Sequence, residues 1–123
     1  MDCYDGKCAC KGSFLDKFVQ PAVLIVLSKG PNHGFQMVAD LQKSGMLSGD
    51  SLDPAGLYRT LKRMEAAGLV SSWWDTDSAP KPKRMYEITQ EGSRCLDTWA
   101  DTLREYRNNI DIILREINRN SFR

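Results

Sequence analysis

Four cysteines are the residues of this sequence best suited to metal or redox chemistry, and three of them lie among the first ten residues. Cys3, Cys8 and Cys10 follow the spacing C-x4-C-x-C, which matches neither the C-x2-C pair of common zinc sites nor the plant-type ferredoxin pattern. Three thiolates so close in sequence could still bind a soft metal ion or an iron–sulfur centre, or be oxidised, with Cys95 as a fourth ligand. The alternative is a tail whose thiols have no function, and no cofactor is required.

No other set of residues resembles a catalytic site. The sequence has one histidine, His33, no glycine-rich phosphate loop and no recognisable motif of paired carboxylates. A chain of 123 residues has the size of one domain and leaves little room for a separate substrate-binding domain. We therefore expect no enzymatic activity.

Positive charge is concentrated locally, although the net charge is only +1. In one segment, Leu57, Leu61 and Met64 recur at the spacing of a buried helix face. Between these apolar residues the helix carries Tyr58, Arg59, Thr60, Lys62 and Arg63, with no acidic residue before Glu65. Such cations attract DNA phosphates, and arginine can also read guanine edges in the major groove. Three cations on one helix are more commonly just a solvated face, so this segment alone does not indicate DNA binding.

A second basic cluster, Lys81, Lys83 and Arg84, shifts the interpretation towards DNA. It lies at the tip or descending arm of a predicted hairpin that Pro80 and Pro82 stiffen. A recognition helix followed by a basic hairpin is a winged helix-turn-helix, in which the wing lies along the DNA backbone. If about half of the cations of a dimer touch phosphates, the logarithm of affinity should fall with the logarithm of salt at a slope near −5.

The elements that must position these clusters follow the order helix, helix, helix, strand, strand, long helix. The first helix begins near residues 14–18, and Pro21 suggests that a new helix starts there after a short one. Gly30-Pro31-Asn32 ends this helix, and a second runs from about Gly34 to Lys43. The spacing of the second predicts a buried face formed by Phe35, Val38 and Leu41.

The remaining elements have clear start and stop signals. Asp53-Pro54 is typical of an N-cap followed by the first helical residue, and Gly68 is typical of the left-handed residue after a helix. Strands are predicted at Leu69 to Trp74 and at Arg84 to Ile88. Thr89 caps a last helix that continues to about Arg119.

These elements predict a mainly α (α+β) fold, a winged helix-turn-helix with a long C-terminal dimerisation helix. The expected organisation is a cysteine-containing tail at residues 1–13, a DNA-binding domain at 14–88 and the dimerisation helix at 89–123. No apolar run reaches membrane-spanning length, and the acidic and basic N-terminus is unlike a signal peptide. We therefore expect a cytoplasmic protein.

The last helix carries a heptad seam of apolar residues at alternating steps of three and four. The seam consists of Leu96, Trp99, Leu103, Tyr106, Ile110, Ile113 and Ile117. A helix of about 30 residues is about 45 Å long, more than one small domain can cover. Packing on its own domain could explain the first part of the seam but hardly the last, so the pattern predicts a homodimer.

Three blocks of this sequence resemble the PadR-like transcriptional regulators. Gly30-Pro31-Asn32-His33-Gly34-Phe35 resembles their Gly-Pro and His-Gly-aromatic pattern. Residues 57–65, followed by Gly68-Leu69-Val70, resemble their recognition helix, and residues 86–92 resemble an aromatic strand followed by Thr-x-x-Gly. The resemblance spans roughly residues 18–117, with Gly56 and Arg59 departing from the residues that the family often has, threonine and proline.

The resemblance implies a bacterial DNA-binding regulator, most simply a repressor that binds a palindromic operator in double-stranded DNA as a homodimer. A small molecule, a metal ion or a redox signal would release it. For His33 and Tyr58 it suggests structural or phosphate-contacting roles, although a histidine before a helix is commonly an ordinary turn residue. The alternatives are a winged-helix module that binds another protein, and a metal- or redox-sensing protein without specific DNA binding.

The tryptophans are the residues that could bind an effector. In some members of the family that this chain resembles, an aromatic pocket between the long helices of the dimer accepts flat compounds, which makes Trp99 the candidate here. Plain core packing is the favoured alternative for this side chain. On the predicted wing, strand alternation turns one of Trp73 and Trp74 inward and the other outward.

Overall fold

The computed structural model describes residues 17–47, 53–77 and 81–120 of the chain. The elements are α1 (Val19–Ser28), β1 (Asn32–His33), α2 (Gly34–Ser44), α3 (Pro54–Ala66), β2 (Val70–Asp75), β3 (Lys83–Ile88) and α4 (Gln90–Asn120). The three strands form one antiparallel sheet in the order β1-β3-β2. The predicted architecture is confirmed: a winged helix-turn-helix followed by a long C-terminal helix.

Helix α1 begins two residues before Pro21 and does not restart there. Pro21 occupies the third position of the helix, where a backbone N–H would have no partner within the helix in any case. The proline is therefore accommodated in the first turn of one continuous helix. The predicted start at residues 14–16 lies outside the described residues.

Helix α2 buries a different face from the one that the sequence predicts. Met37 and Leu41 are fully buried, Val38 is half-buried, and Phe35 is 83% exposed. Phe35 and Leu41 are six residues apart, which places them about 120° apart around a helix. The prediction of a buried Phe35 is wrong. Steps of three residues fall short of a full helical turn, so Phe35 lies to one side of the buried face that Met37 and Leu41 share.

The core lies between the first three helices and the sheet, with the first part of α4 packed against it. Its largest fully buried side chains include Leu24, Leu27, Met37, Leu41, Leu57 and Leu61. Each such side chain stabilises the fold by roughly 1.5–3 kcal/mol relative to an exposed one. This packing fixes the rotation of α3 about its axis.

The short strand β1 is an element that the sequence did not predict. Asn32 pairs with Tyr86 and His33 with Met85, so β1 extends the hairpin into a third strand. His33 is also the N-cap of α2, because its Nδ1 accepts a hydrogen bond from the backbone N–H of Gln36 at 3.3 Å. His33 therefore has a structural role, as the cap of α2 and as a residue of β1.

Neither wing tryptophan is buried, although they lie on opposite faces of the hairpin. Trp74 pairs with Arg84 in the β2–β3 register, on the face that also carries the buried Tyr86. Trp74 is nevertheless 58% exposed, and Trp73, on the other face, is also exposed. The inward indole stays in contact with solvent because the strand continues past the core that covers Tyr86.

Among the described parts of the chain, no helix combines the length and apolar character that a membrane span needs.

Candidate nucleic-acid interface

Helix α3 is positioned by its cap and by its buried face. Asp53 Oδ1 accepts a hydrogen bond from the backbone N–H of Gly56 at 2.7 Å, and proline follows the cap in the first turn. Leu57, Leu61 and Met64 are each at most 1% exposed, as their spacing predicts. The face of α3 that points away from the core is therefore determined by packing.

That outer face carries the three predicted cations. Arg59, Lys62 and Arg63 are exposed, and their spacing places them on one stripe of the helix. None of the three forms an ion pair with a carboxylate within the described residues. Of the polar side chains predicted for this interface, Thr60 is the one that is half-buried on α3. The stripe presents concentrated positive charge of the kind that phosphates attract.

Tyr58 lies at the junction of α2 and α3. Its side chain is 45% exposed, and a Cβ atom added to Gly34 would lie only 2.6 Å from Tyr58 Cε1. The ring of Tyr58 therefore rests on the glycine that opens α2. This contact explains why a glycine follows His33, since a side chain there would collide with the Tyr58 ring.

The wing carries the second group of predicted cations, and their surroundings differ. Lys81 and Lys83 are exposed, whereas Arg84 is half-buried. The Arg84 guanidinium lies 3.7 Å from a Glu65 carboxylate oxygen and 5.4 Å from the ring centroid of Trp74. The two lysines therefore face solvent, whereas the arginine contacts Glu65 on α3 and Trp74 on β2.

Tyr86 lies beneath this part of the wing. Burial raises the pKa of its hydroxyl, and the neighbouring Arg84 guanidinium opposes that shift in part. A tyrosine hydroxyl is neutral at pH 7 in any case, and its burial here holds it further from ionisation. Sequence reasoning placed Tyr86 only as an aromatic strand residue.

Trp99 joins the long helix to the DNA-binding domain. Its Nε1 donates a hydrogen bond to Gln20 Oε1 on α1 at 2.8 Å. Beside it, a groove of about 390 Å³ is lined by Lys17, Phe18, Trp99, Tyr106, Asn109 and Ile110. Sequence reasoning missed Gln20, although a lone amide within the apolar run of α1 is a signal that could have found it.

The predicted seam of α4 divides into two parts. Leu96, Trp99 and Leu103 are half-buried, and the first two pack against the core. Beyond them the seam faces solvent in this single chain, with exposures between 44% and 57% for Tyr106, Ile110, Ile113 and Ile117. Ile112 and Leu114, which the heptad pattern omitted, are exposed on the same segment.

The cysteine hypothesis rests mainly on residues that the structure does not describe. Cys3, Cys8 and Cys10 lie outside the described residues. Cys95 is a half-buried free thiol whose Sγ lies 4.0 Å from Gln20 Oε1. Across residues 17–47, 53–77 and 81–120, no three histidine, cysteine or carboxylate side chains cluster closely enough to hold a metal ion.

Comparison with known proteins gives a family for this chain and solved structures that share its fold. The model of the "Transcriptional regulator PadR-like family" matches residues 23–98, more than half of the chain. No curated protein sequence matches it. A PadR family transcriptional regulator from Eggerthella lenta DSM 2243 is 26% identical, with a TM-score of 0.70 over 90% of this chain and 95% of that chain.

Two further solved structures share the fold. A PadR family transcription regulator from Clostridium difficile R20291 is 19% identical, with a TM-score of 0.68 over 79% of this chain and 98% of that chain. Bacillus subtilis PadR, solved in complex with operator DNA, is 21% identical, with a TM-score of 0.60 over 68% of this chain. That match covers only 46% of the Bacillus chain.

Proposed function

Because the chain belongs to the PadR-like family of transcriptional regulators, we propose that it is a repressor that binds a palindromic operator in double-stranded DNA as a homodimer. The observation that carries this proposal is the stripe of exposed cations on α3, formed by Arg59, Lys62 and Arg63. Two exposed wing lysines, Lys81 and Lys83, add to it. Bacillus subtilis PadR, which shares this fold, has been solved on its operator.

The dimer has independent support from the second half of α4. Four seam residues there are exposed in the single chain, at the helical spacing that a partner helix would cover. A two-fold protein presents two recognition helices, so its operator should be a palindrome with half-sites about one helical turn apart.

Release by a small molecule has support from the groove beside Trp99. The groove combines three aromatic side chains and an isoleucine with a lysine and an asparagine, a mixture suited to a flat compound with a polar edge. A ligand there would contact both α1 and α4. It could therefore change the angle between the DNA-binding domain and the dimer axis.

Selection from a random duplex pool tests the proposal directly. The reduced, purified protein should retain a palindrome at about physiological salt, with half-sites about one turn apart. On that operator, the slope of log affinity against log salt should lie near −5, if about half of the cations of a dimer contact phosphates. Recovery of unrelated sequences would contradict the proposal and leave the protein-interaction module as the better reading.

A matched pair of variants locates the interface. Lys62→Gln should make the slope shallower by about 2 per dimer, because each phosphate contact contributes about 0.9. Lys43→Gln removes an equally exposed lysine from the last turn of α2, and it should leave the slope unchanged. Equal effects of the two substitutions would indicate charge attraction without a defined interface.

A further inference from the structure

Four side chains from three elements form a closed cluster between the recognition helix and the wing. Arg84 Nε on β3 donates a hydrogen bond to Ser72 Oγ on β2 at 3.0 Å. Ser72 Oγ in turn donates to Glu65 Oε2 on α3 at 2.7 Å, and the Arg84 guanidinium lies 3.7 Å from the other carboxylate oxygen. Trp74 provides an aromatic ring beneath the guanidinium.

The register of the hairpin explains why these residues meet. Ser72 faces Tyr86 and Trp74 faces Arg84 across the β2–β3 ladder, which places the three hairpin members of the cluster, Ser72, Trp74 and Arg84, on one face. Glu65 lies in the last turns of α3, directly before the chain enters β2. The cluster therefore joins the end of the recognition helix to the base of the wing.

We propose that this cluster sets the angle of the wing to the recognition helix, and that Arg84 is a positioning residue rather than a phosphate ligand. The proposal rests on the proposed function, since it concerns how the same interface meets DNA. Three groups already occupy the guanidinium: a hydroxyl, a carboxylate and an indole face. Lys83, the neighbour of Arg84 in sequence, points to the opposite face of the strand and stays exposed.

For Glu65, the proposal and a simple charge argument predict opposite changes in operator affinity. A carboxylate close to DNA repels phosphates, so a simple charge argument predicts that Glu65→Gln tightens binding. The positioning role predicts the reverse, because the substitution breaks the link that holds the wing against α3. We expect Glu65→Gln to weaken operator binding roughly fivefold in the dimer, the size expected for two partly exposed ion pairs.

Glu87→Gln is the matched control for charge. Glu87 is an exposed carboxylate on the face of β3 opposite to Arg84, and it accepts a hydrogen bond from Ser71 Oγ on β2. Its substitution removes one negative charge from the hairpin, as Glu65→Gln removes one from α3, and it should leave binding unchanged or slightly tighter.

Ser72→Ala tests the cluster without any change in charge. It should weaken operator binding by roughly the same factor as Glu65→Gln, and the double variant should be no weaker than either single one, because all act through one cluster. Ser71→Ala removes the adjacent hydroxyl on the opposite face and should bind as the unaltered protein does. A Ser72→Ala variant that binds like Ser71→Ala would overturn the proposal.

Substitution of Arg84 separates positioning from phosphate contact. Lysine can hold a phosphate but cannot make the planar contacts to Ser72, Glu65 and Trp74 together. We therefore expect Arg84→Lys to be about as weak as Arg84→Gln, with the salt slope unchanged for both. A slope that becomes shallower by about 2 per dimer in Arg84→Gln, and is restored in Arg84→Lys, would assign Arg84 to a phosphate instead.

Amide hydrogen exchange on the free protein distinguishes failure of this proposal from failure of the proposed function. Ser72→Ala should speed exchange in the β2–β3 hairpin roughly fivefold, and Ser71→Ala should not. If selection recovers no operator but the exchange result holds, the cluster orders the wing and the DNA-binding role fails. If an operator is recovered and hairpin exchange is unchanged in Ser72→Ala, the positioning role is wrong.

Discussion

At the scale of single residues, close packing explains why threonine and glycine occupy positions 89 and 92, which the sequence shows only as a Thr-x-x-Gly pattern. Thr89 accepts a hydrogen bond from the backbone N–H of Gly92 at 3.0 Å and donates one to the carbonyl oxygen of Gly68 at 2.6 Å. The first turn of α4 thereby rests on the end of α3. A Cβ added to Gly92 would collide with the backbone carbonyl of Leu69 and with Ile88.

Gly92→Ala should therefore destabilise the protein, although alanine is the better helix former. The gain in helix propensity is about 1 kcal/mol, and the collision involves backbone that cannot move away cheaply. The collision should cost about 1–3 kcal/mol, so after the gain in helix propensity we expect a net loss of up to about 2 kcal/mol in the free energy of unfolding, measured by urea denaturation. Ser93→Ala, at an exposed position of the same turn, should change it by no more than about 0.5 kcal/mol. Stabilisation by Gly92→Ala would show that α4 can lift away from Leu69.

At the scale of elements, helix capping decides where the recognition helix begins. Asp53 satisfies the backbone N–H of Gly56, one of the groups that the helix itself leaves without a partner. Because that end of α3 bears the Tyr58 contact with Gly34, fraying there would also loosen the junction with α2.

Asp53→Ala should lower the free energy of unfolding by about 1 kcal/mol, through loss of the cap. Asp53→Asn retains an oxygen in the same place and is nearly as good a cap, so it should cost only a small fraction of that. Chemical denaturation of the two variants separates capping from charge. Equal losses in both would mean that the carboxylate charge, and not the hydrogen bond, stabilises α3.

Elements with a local signal could be predicted from the sequence, and those made by distant contacts could not. Asp53, Gly68 and Thr89 mark helix ends through their own backbone preferences, and the structure places the boundaries within two residues of each. Strand β1 has only two residues and exists because Tyr86 and Met85 pair with it. The interface cations could be predicted from their local clustering in the sequence, whereas the ion pair of Arg84 depends on Glu65, which lies on another element.

At the scale of the whole molecule, the length of α4 separates two tasks. The helix has 31 residues, so it extends about 46 Å. Its first part packs on the DNA-binding domain, and its last part displays isoleucines to solvent in the single chain. An exposed apolar stripe of this size is typical of a protein–protein interface. The spacing of two recognition helices on DNA would then depend on how two such helices meet.

Ile113→Glu is the sharpest test of that arrangement. Ile113 lies in the middle of the exposed stretch of the seam and belongs to no part of the core of its own chain. The substitution should leave the thermal unfolding of the DNA-binding domain nearly unchanged. It should convert a dimer to a monomer in sedimentation equilibrium, because each interface would lose about 1.5–3 kcal/mol per isoleucine and gain a charge without a partner.

The control is Asn108→Glu, which adds the same charge to α4 at an exposed position outside the predicted seam. It should remain a dimer with unaltered affinity for the selected operator. Ile113→Glu should instead bind a full operator only as tightly as a single half-site, because the second recognition helix is no longer tethered to the first. A dimeric Ile113→Glu protein would show that the seam lies elsewhere on α4, with Ile112 and Leu114 as the next positions to substitute.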